Sequence, residues 1–71
     1  MDMNNKLVRI YQKFKGPNET KTYVSSVFSE EDEEKELEAR SWIRKEARKS
    51  GFTIEEYVSE KIVPVIVPDY D

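Results

Sequence analysis

Between Ser29 and Gly51 the charge runs from acid to base along a segment punctuated at both ends, and this pattern constrains the chain more than any other. Glu30, Glu31, Asp32, Glu33 and Glu34 crowd its start, where a helix dipole favours negative charge, and Lys45, Arg48 and Lys49 crowd its finish, where the dipole favours positive charge. Ser29 offers an N-cap hydroxyl, with Asp32 three residues on as a capping box in which Asp replaces Glu. Gly51 can adopt the left-handed conformation that ends a helix, and Phe52 can then fold back over Ala47 in a Schellman end. The expectation is one long helix over residues 30–50. Glu31–Lys35 and Glu36–Arg40 are spaced as i,i+4 ion pairs, each adding about 0.2–0.5 kcal/mol. Ala39, Ile43 and Ala47 share a narrow stripe, with Leu37 about 120° to one side of Ile43 and Trp42 about 100° to the other. The two large side chains cannot both occupy the centre of one buried face, so at least one belongs at the rim or in solvent.

A helix with so thin an apolar stripe, built on small Ala residues, is suited to lie close on a sheet. Residues 6–15 alternate, with Val8, Ile10 and Phe14 on one face and Arg9, Tyr11, Lys13 and Lys15 on the other, as a half-buried strand requires. Gly16-Pro17-Asn18-Glu19 is a turn cluster, and residues 20–28, rich in Thr, Tyr and Val, suit a second strand of an antiparallel hairpin. After Gly51, Thr53 with Glu56 is a further cap signal. The segment beyond reads as one helical turn at 53–56 and a third strand at 58–67, or as a second helix through Ile54, Tyr57, Val58, Lys61 and Ile62. The β-branched run to Val67 favours the strand, and Pro64, which lacks a ladder donor, marks either an edge strand or a break. The fold class is therefore α+β: a small antiparallel β-sheet, hairpin plus third strand, packed by one long α-helix in ββαβ order. One domain over 1–71, with flexible ends at about 1–5 and 68–71, is expected.

Composition narrows the chemistry. In 71 residues, 38% are charged and 37% hydrophobic, so the core is small, and partnership with another chain is one route to stability. There is no Cys and no His, which removes disulfides, thiol nucleophiles, zinc-thiolate sites and imidazole acid–base chemistry. No glycine-rich phosphate loop or calcium loop is present, and two glycines leave little room for an active-site cleft. The longest apolar run, Ile62 to Val67, is far shorter than the roughly 18–20 residues a bilayer needs. The N-terminal residues lack the basic-then-apolar order of a signal peptide. These features point to a cytoplasmic chain with no cofactor, no metal, no membrane and no catalysis.

The charge is divided by region. Residues 1–28 hold five basic and two acidic residues, net +3; residues 29–50 hold six and eight, net −2; residues 51–71 hold one and five, net −4. The ends either pack together and neutralise, or present a bipolar surface that steers a partner. Four surfaces are candidates for binding. The acidic block of Glu30, Glu31, Asp32, Glu33, Glu34 and Glu38 either presents carboxylates to a basic partner or is a solvated helix start. A sheet face of Arg9, Tyr11, Lys13, Lys15, Lys21 and Tyr23 interleaves bases with aromatics, as single-stranded nucleic-acid binders do. It also suits an ordinary wet sheet face, and the net charge opposes nucleic-acid affinity. Trp42 is either an interface anchor or a rim residue. The Val63–Val67 stretch is either an exposed edge open to strand addition or an internal strand.

Ile43-Arg44-Lys45-Glu46-Ala47-Arg48-Lys49-Ser50-Gly51-Phe52-Thr53-Ile54-Glu55-Glu56-Tyr57-Val58 resembles the helix–turn–helix portion of ribbon-helix-helix regulators. That resemblance implies a dimeric DNA-binding transcriptional regulator with a second helix after Gly51. In general style, a short, acidic, Cys-free chain with a hairpin and one helix is similar to accessory proteins of bacterial viruses, many of which block or redirect a host protein. The expected function is a small protein-binding module, a phage-type inhibitor or modulator acting through its acidic helix and Trp42. The DNA-binding regulator is the alternative, and a structural subunit of a larger assembly is the third; a homodimer is one form of partnership open to the chain.

Overall fold

A computed structural model describes residues 6–66; the ends expected to be flexible, 1–5 and 68–71, and Val67 of the expected third strand lie outside them. Strands β1 (Leu7–Lys15), β2 (Thr20–Val24) and β3 (Phe28–Ser29) precede the helix α1 (Glu33–Lys49), and a 3₁₀ turn at Ile54–Glu56 leads into β4 (Tyr57–Val65). The architecture is α+β, as expected, with one short extra strand.

The alternating strand β1 is central. It pairs antiparallel with β4 along one side and with β2 and then β3 along the other. The hairpin closes over residues 16–19, with the Gly16 amide donating to the Glu19 carbonyl at 2.8 Å. Val8, Ile10, Gln12 and Phe14 point to the helix side and are buried. They meet Ala39, Ile43 and Ala47, the stripe expected of α1, and Tyr23, Phe28 and Phe52 complete the core. Phe14 is its aromatic hub, 5.8 Å from the rings of both Tyr23 and Phe52 and edge-on to Tyr23.

Both helix ends are set by named groups. At the C-terminus the Phe52 amide donates to the Ala47 carbonyl (3.0 Å) and the Gly51 amide to that of Arg48 (2.9 Å), with Gly51 at φ +97°, the Schellman geometry expected there. At the N-terminus the cap is Asp32, not Ser29, and the helix begins at Glu33 rather than near residue 30. Ser29 is held in β3 opposite Leu7, and the Glu30 amide donates to the Lys6 carbonyl, so this backbone is committed to the sheet. The next side chain able to cap is that of Asp32, whose carboxylate accepts the Lys35 amide at 3.1 Å. Glu31 consequently lies outside the helix, and Lys35 sits 3.6 Å from Glu38 instead of pairing with Glu31.

The expected second strand, 20–28, is broken. From Tyr11↔Val24 to Val8↔Phe28, β1 advances three residues and its partner four, so one extra residue is accommodated there as a β-bulge. Ser25, buried in the break, bridges it: its hydroxyl accepts the Ile10 amide at 2.9 Å and its own amide donates to the Ile10 carbonyl.

Beyond Gly51 the chain takes the strand. Residues 57–65 run beside β1 as an edge, and Pro64, opposite Val8, sits where no second neighbour demands its missing N–H. No further strand pairs with the outer side of β4 among the described residues. The resemblance to ribbon-helix-helix proteins thus extends through the end of α1 and the short turn, and the fold it implies is not the one formed: a strand stands where the second helix would be.

Candidate functional site

The side chain that the core leaves over is Trp42. Its helical neighbour Ile43 is fully buried, while Trp42, rotated off the stripe, is 49% exposed, and Leu37, on the opposite flank, is 66% exposed. Both large residues are therefore outside the buried face. Trp42 differs from Leu37 in what lies beside it. Together with Ala39 it overhangs the β2–β3 bulge, and the space between is a cleft of about 840 Å³ whose apolar lining includes Val24, Val27 and Phe28. Val24, on the outer side opposite Tyr11, and Val27, in the break between β2 and β3, are themselves partly exposed. Asp32, Lys35 and Glu38 supply a mixed-charge rim along the helix side.

A cross-layer ionic network fixes the helix over the sheet. The Arg40 guanidinium donates to both carboxylate oxygens of Glu60 on β4, at 3.0 and 2.9 Å, and reaches Glu36 at 2.7 Å. The buried Gln12 amide donates to the same Glu60 at 2.8 Å. The bonds from Arg40 hold the Glu60 carboxyl below the usual carboxylate range, against the opposing cost of burial, and those to Glu60 and Glu36 keep Arg40 more firmly protonated than a free guanidinium. The expected Glu36–Arg40 pair is present; the links to Glu60 and Gln12, from strands 20 and 28 residues away from Arg40, carry no local sequence signal.

The acidic block is divided between the turn and the helix. Glu30 and Glu31 lie in the turn before the helix, Asp32 is engaged as the cap, Glu33 and Glu34 are exposed in the first turn, and Glu38 lies one helical turn before Trp42 at the cleft rim. Among the described residues no three carboxylates are grouped so that they could hold a metal ion.

The expected basic face needs correction. Lys21 and Tyr23 are not on it. Lys21 pairs opposite Phe14 and Tyr23 opposite Gln12, which places both on the helix side, where Tyr23 is buried in the core and Lys21 sits over its ring at 5.3 Å. The physical reason is packing: Tyr23 closes edge-on against both Phe14 and Phe52, a site no solvent-facing aromatic would fill. Tyr11, Lys13 and Lys15 do share the outer face, and Lys61 of β4, directly opposite Tyr11, joins them. Arg9 starts on that face but bends toward the bulge, where its Nε donates to the Ser25 carbonyl at 3.3 Å.

No helix among the described residues is long and apolar enough to cross a membrane. Comparison with protein-family models, with curated proteins and with solved structures finds no match.

Proposed function

We propose that this chain is a non-catalytic protein-binding module that occupies a surface on a larger protein, as an inhibitor or modulator of the bacterial-virus type acting in the cytoplasm. The observation that carries this reading is Trp42, half in solvent above a cleft of mixed lining, in which Val24, Val27 and Phe28 lie among Arg9 and the serines of the bulge. A tryptophan held on a helix beside a partly apolar cleft is an arrangement that anchors interfaces, since a partner's side chain can enter the cleft and cover the indole at little ordering cost. The rim of Asp32, Lys35 and Glu38 would set orientation. The acidic first turn plays a lesser part than the sequence alone implies, because Asp32 is spent on the cap and Glu30 and Glu31 lie before the helix.

The test is comparative capture from lysate of the source cells with the wild-type chain, Trp42→Ala and Leu37→Ala as baits, each verified as folded. The reading requires a protein retained by wild type and by Leu37→Ala and lost from Trp42→Ala. Equal retention by all three baits, or none above background, sinks it. Sequence-specific duplex binding by a dimer would instead favour the DNA-binding regulator, and self-association without any foreign partner would favour the structural subunit.

A further inference from the structure

The outer face of the sheet carries a second surface, chemically distinct from the Trp42 cleft. Residues directly opposite one another in a ladder share a face. Tyr11 pairs with Lys61 on one side and Val24 on the other, Lys13 with Ser59 and Thr22, and Lys15 with Thr20. No acidic residue is among the pairs of this face, although the chain as a whole is acidic at net −3. The strand register accomplishes this separation: Glu60 is turned to the helix side to meet Arg40, and the other β-ladder positions on the outer side are basic, hydroxylic or apolar. Lys13, Lys15 and Lys61 are exposed around a half-buried Tyr11, and Tyr11, Lys13, Lys61 and Val63 line a shallow open depression of about 440 Å³.

We infer that this face binds single-stranded nucleic acid, with the Tyr11 ring as a stacking platform for one base and Lys13, Lys15 and Lys61 holding the flanking phosphates. Charge complementarity selects a polyanion, and the aromatic at the head of the row of cations selects one with unpaired bases. A duplex keeps its bases stacked on each other and offers Tyr11 nothing, and an acidic peptide offers charge without a π-face. Along β1, side chains of one face recur every two residues, about 6.6–6.8 Å apart, so Lys13 and Lys15 stand at successive positions along a track that starts beside Tyr11. Neither stacking nor phosphate contact reads sequence or needs a 2′-hydroxyl, so binding is sequence-tolerant and a plain deoxythymidine oligomer is a sufficient probe. This surface borders the Trp42 cleft at Val24 but takes none of its binding side chains from it, and it does not depend on the protein-binding reading.

The experiment is fluorescence anisotropy with labelled dT12, on the full chain. Three phosphate contacts predict a slope of log K against log salt of about −2, which is about a 20-fold loss of affinity between roughly 50 and 200 mM salt. Tyr11→Ala should weaken binding at least about five-fold while Tyr11→Phe retains it, because stacking requires the ring and not the hydroxyl. The double variant Lys13→Ala/Lys61→Ala should flatten the slope by about 1.4, and the double variant Lys45→Ala/Arg48→Ala, which removes an equal charge from the helix, should leave it unchanged. Unfolding midpoints of the variants identify any that fail to fold, and the exposed lysine pair stands as a test even if Tyr11→Ala does not fold. Absence of binding at about 200 µM protein in low salt overturns the inference. So do equal affinity for a mixed-sequence duplex, equal competition by polyglutamate, and an affinity indifferent to salt.

Discussion

Glu60→Gln removes one charge from the network that holds the helix to the sheet and leaves the shape of the side chain in place. In the wild-type chain two bonds from Arg40 and one from Gln12 end on this carboxylate. Its side chain is 20% exposed and that of Arg40 26%, whereas the Lys35–Glu38 pair stands at 3.6 Å with both partners largely in solvent. Pairs of the latter kind contribute about 0–1 kcal/mol, and loss of one partner from a fully buried pair costs about 3–5 kcal/mol. The Arg40–Glu60 pair lies between these limits, and after substitution Arg40 still has Glu36 at 2.7 Å. The expected loss at neutral pH is therefore about 1–2 kcal/mol, which in a domain of this size lowers Tm by roughly 4–15 °C. The pH dependence gives the sharper test. Glu60 is held below its unfolded value, so the bonds stabilise the fold above that value and the contribution disappears as pH falls through the folded one. Denaturant unfolding of wild type and Glu60→Gln, from about pH 7 to about pH 3, should show a stability gap that is constant near neutrality and closes in acid. A gap below about 0.5 kcal/mol at neutral pH, or one of unchanged size at the acid end, would refute the role assigned to this carboxylate.

Other substitutions probe the remaining joints. Ser25→Ala strips the acceptor from the buried Ile10 amide and should cost about 1–3 kcal/mol in denaturant unfolding, with faster hydrogen exchange at Ile10. Gly51→Ala places a side chain at φ +97° where no atom lies within 4 Å, so its cost, about 1–2 kcal/mol by thermal melting, is conformational and not steric. Gly16→Ala reverses that cause: its Cβ would stand 3.1 Å from Phe52 Cε1, and a loss of about 1–3 kcal/mol with shifted Phe52 ring resonances in NMR is expected. Ile43→Ala empties a fully buried site in a small core and should cost about 2–5 kcal/mol, enough to leave part of the population unfolded at ambient temperature.

What could be read from the sequence was what neighbours in the chain decide. The stripe of Ala39, Ile43 and Ala47, the Gly51-Phe52 end, the turn at 16–19 and the burial of Val8, Ile10 and Phe14 each follow from spacing or from one residue's conformational range. Where distant pairing intervened, local signals misled. Ser29 has the better cap hydroxyl, yet pairing with Leu7 takes its backbone into the sheet and passes the cap to Asp32. Tyr23 and Val24 are both apolar and adjacent, so periodicity leaves open which faces the core; the hairpin register settles it for Tyr23 and carries Lys21 along. Gln12 and Glu60 look like surface residues in a strand, and the burial of Gln12 and partial burial of Glu60 make sense only once Arg40 arrives from the helix. The cleft beside Trp42 was legible by half: the angle between Trp42 and Ile43 sets the indole off the stripe, but the bulge that forms the opposite wall comes from a one-residue mismatch between strands.

Acrylamide quenching of Trp42, the only tryptophan in the chain, is the most direct measurement, made on the free protein and again with the captured partner in a tryptophan-free or fluorotryptophan-labelled form. An indole that is readily quenched alone and shielded in the complex is the predicted result. Quenching that does not change on complex formation, or an indole already shielded in the free chain, would contradict the assignment of this side chain to an interface.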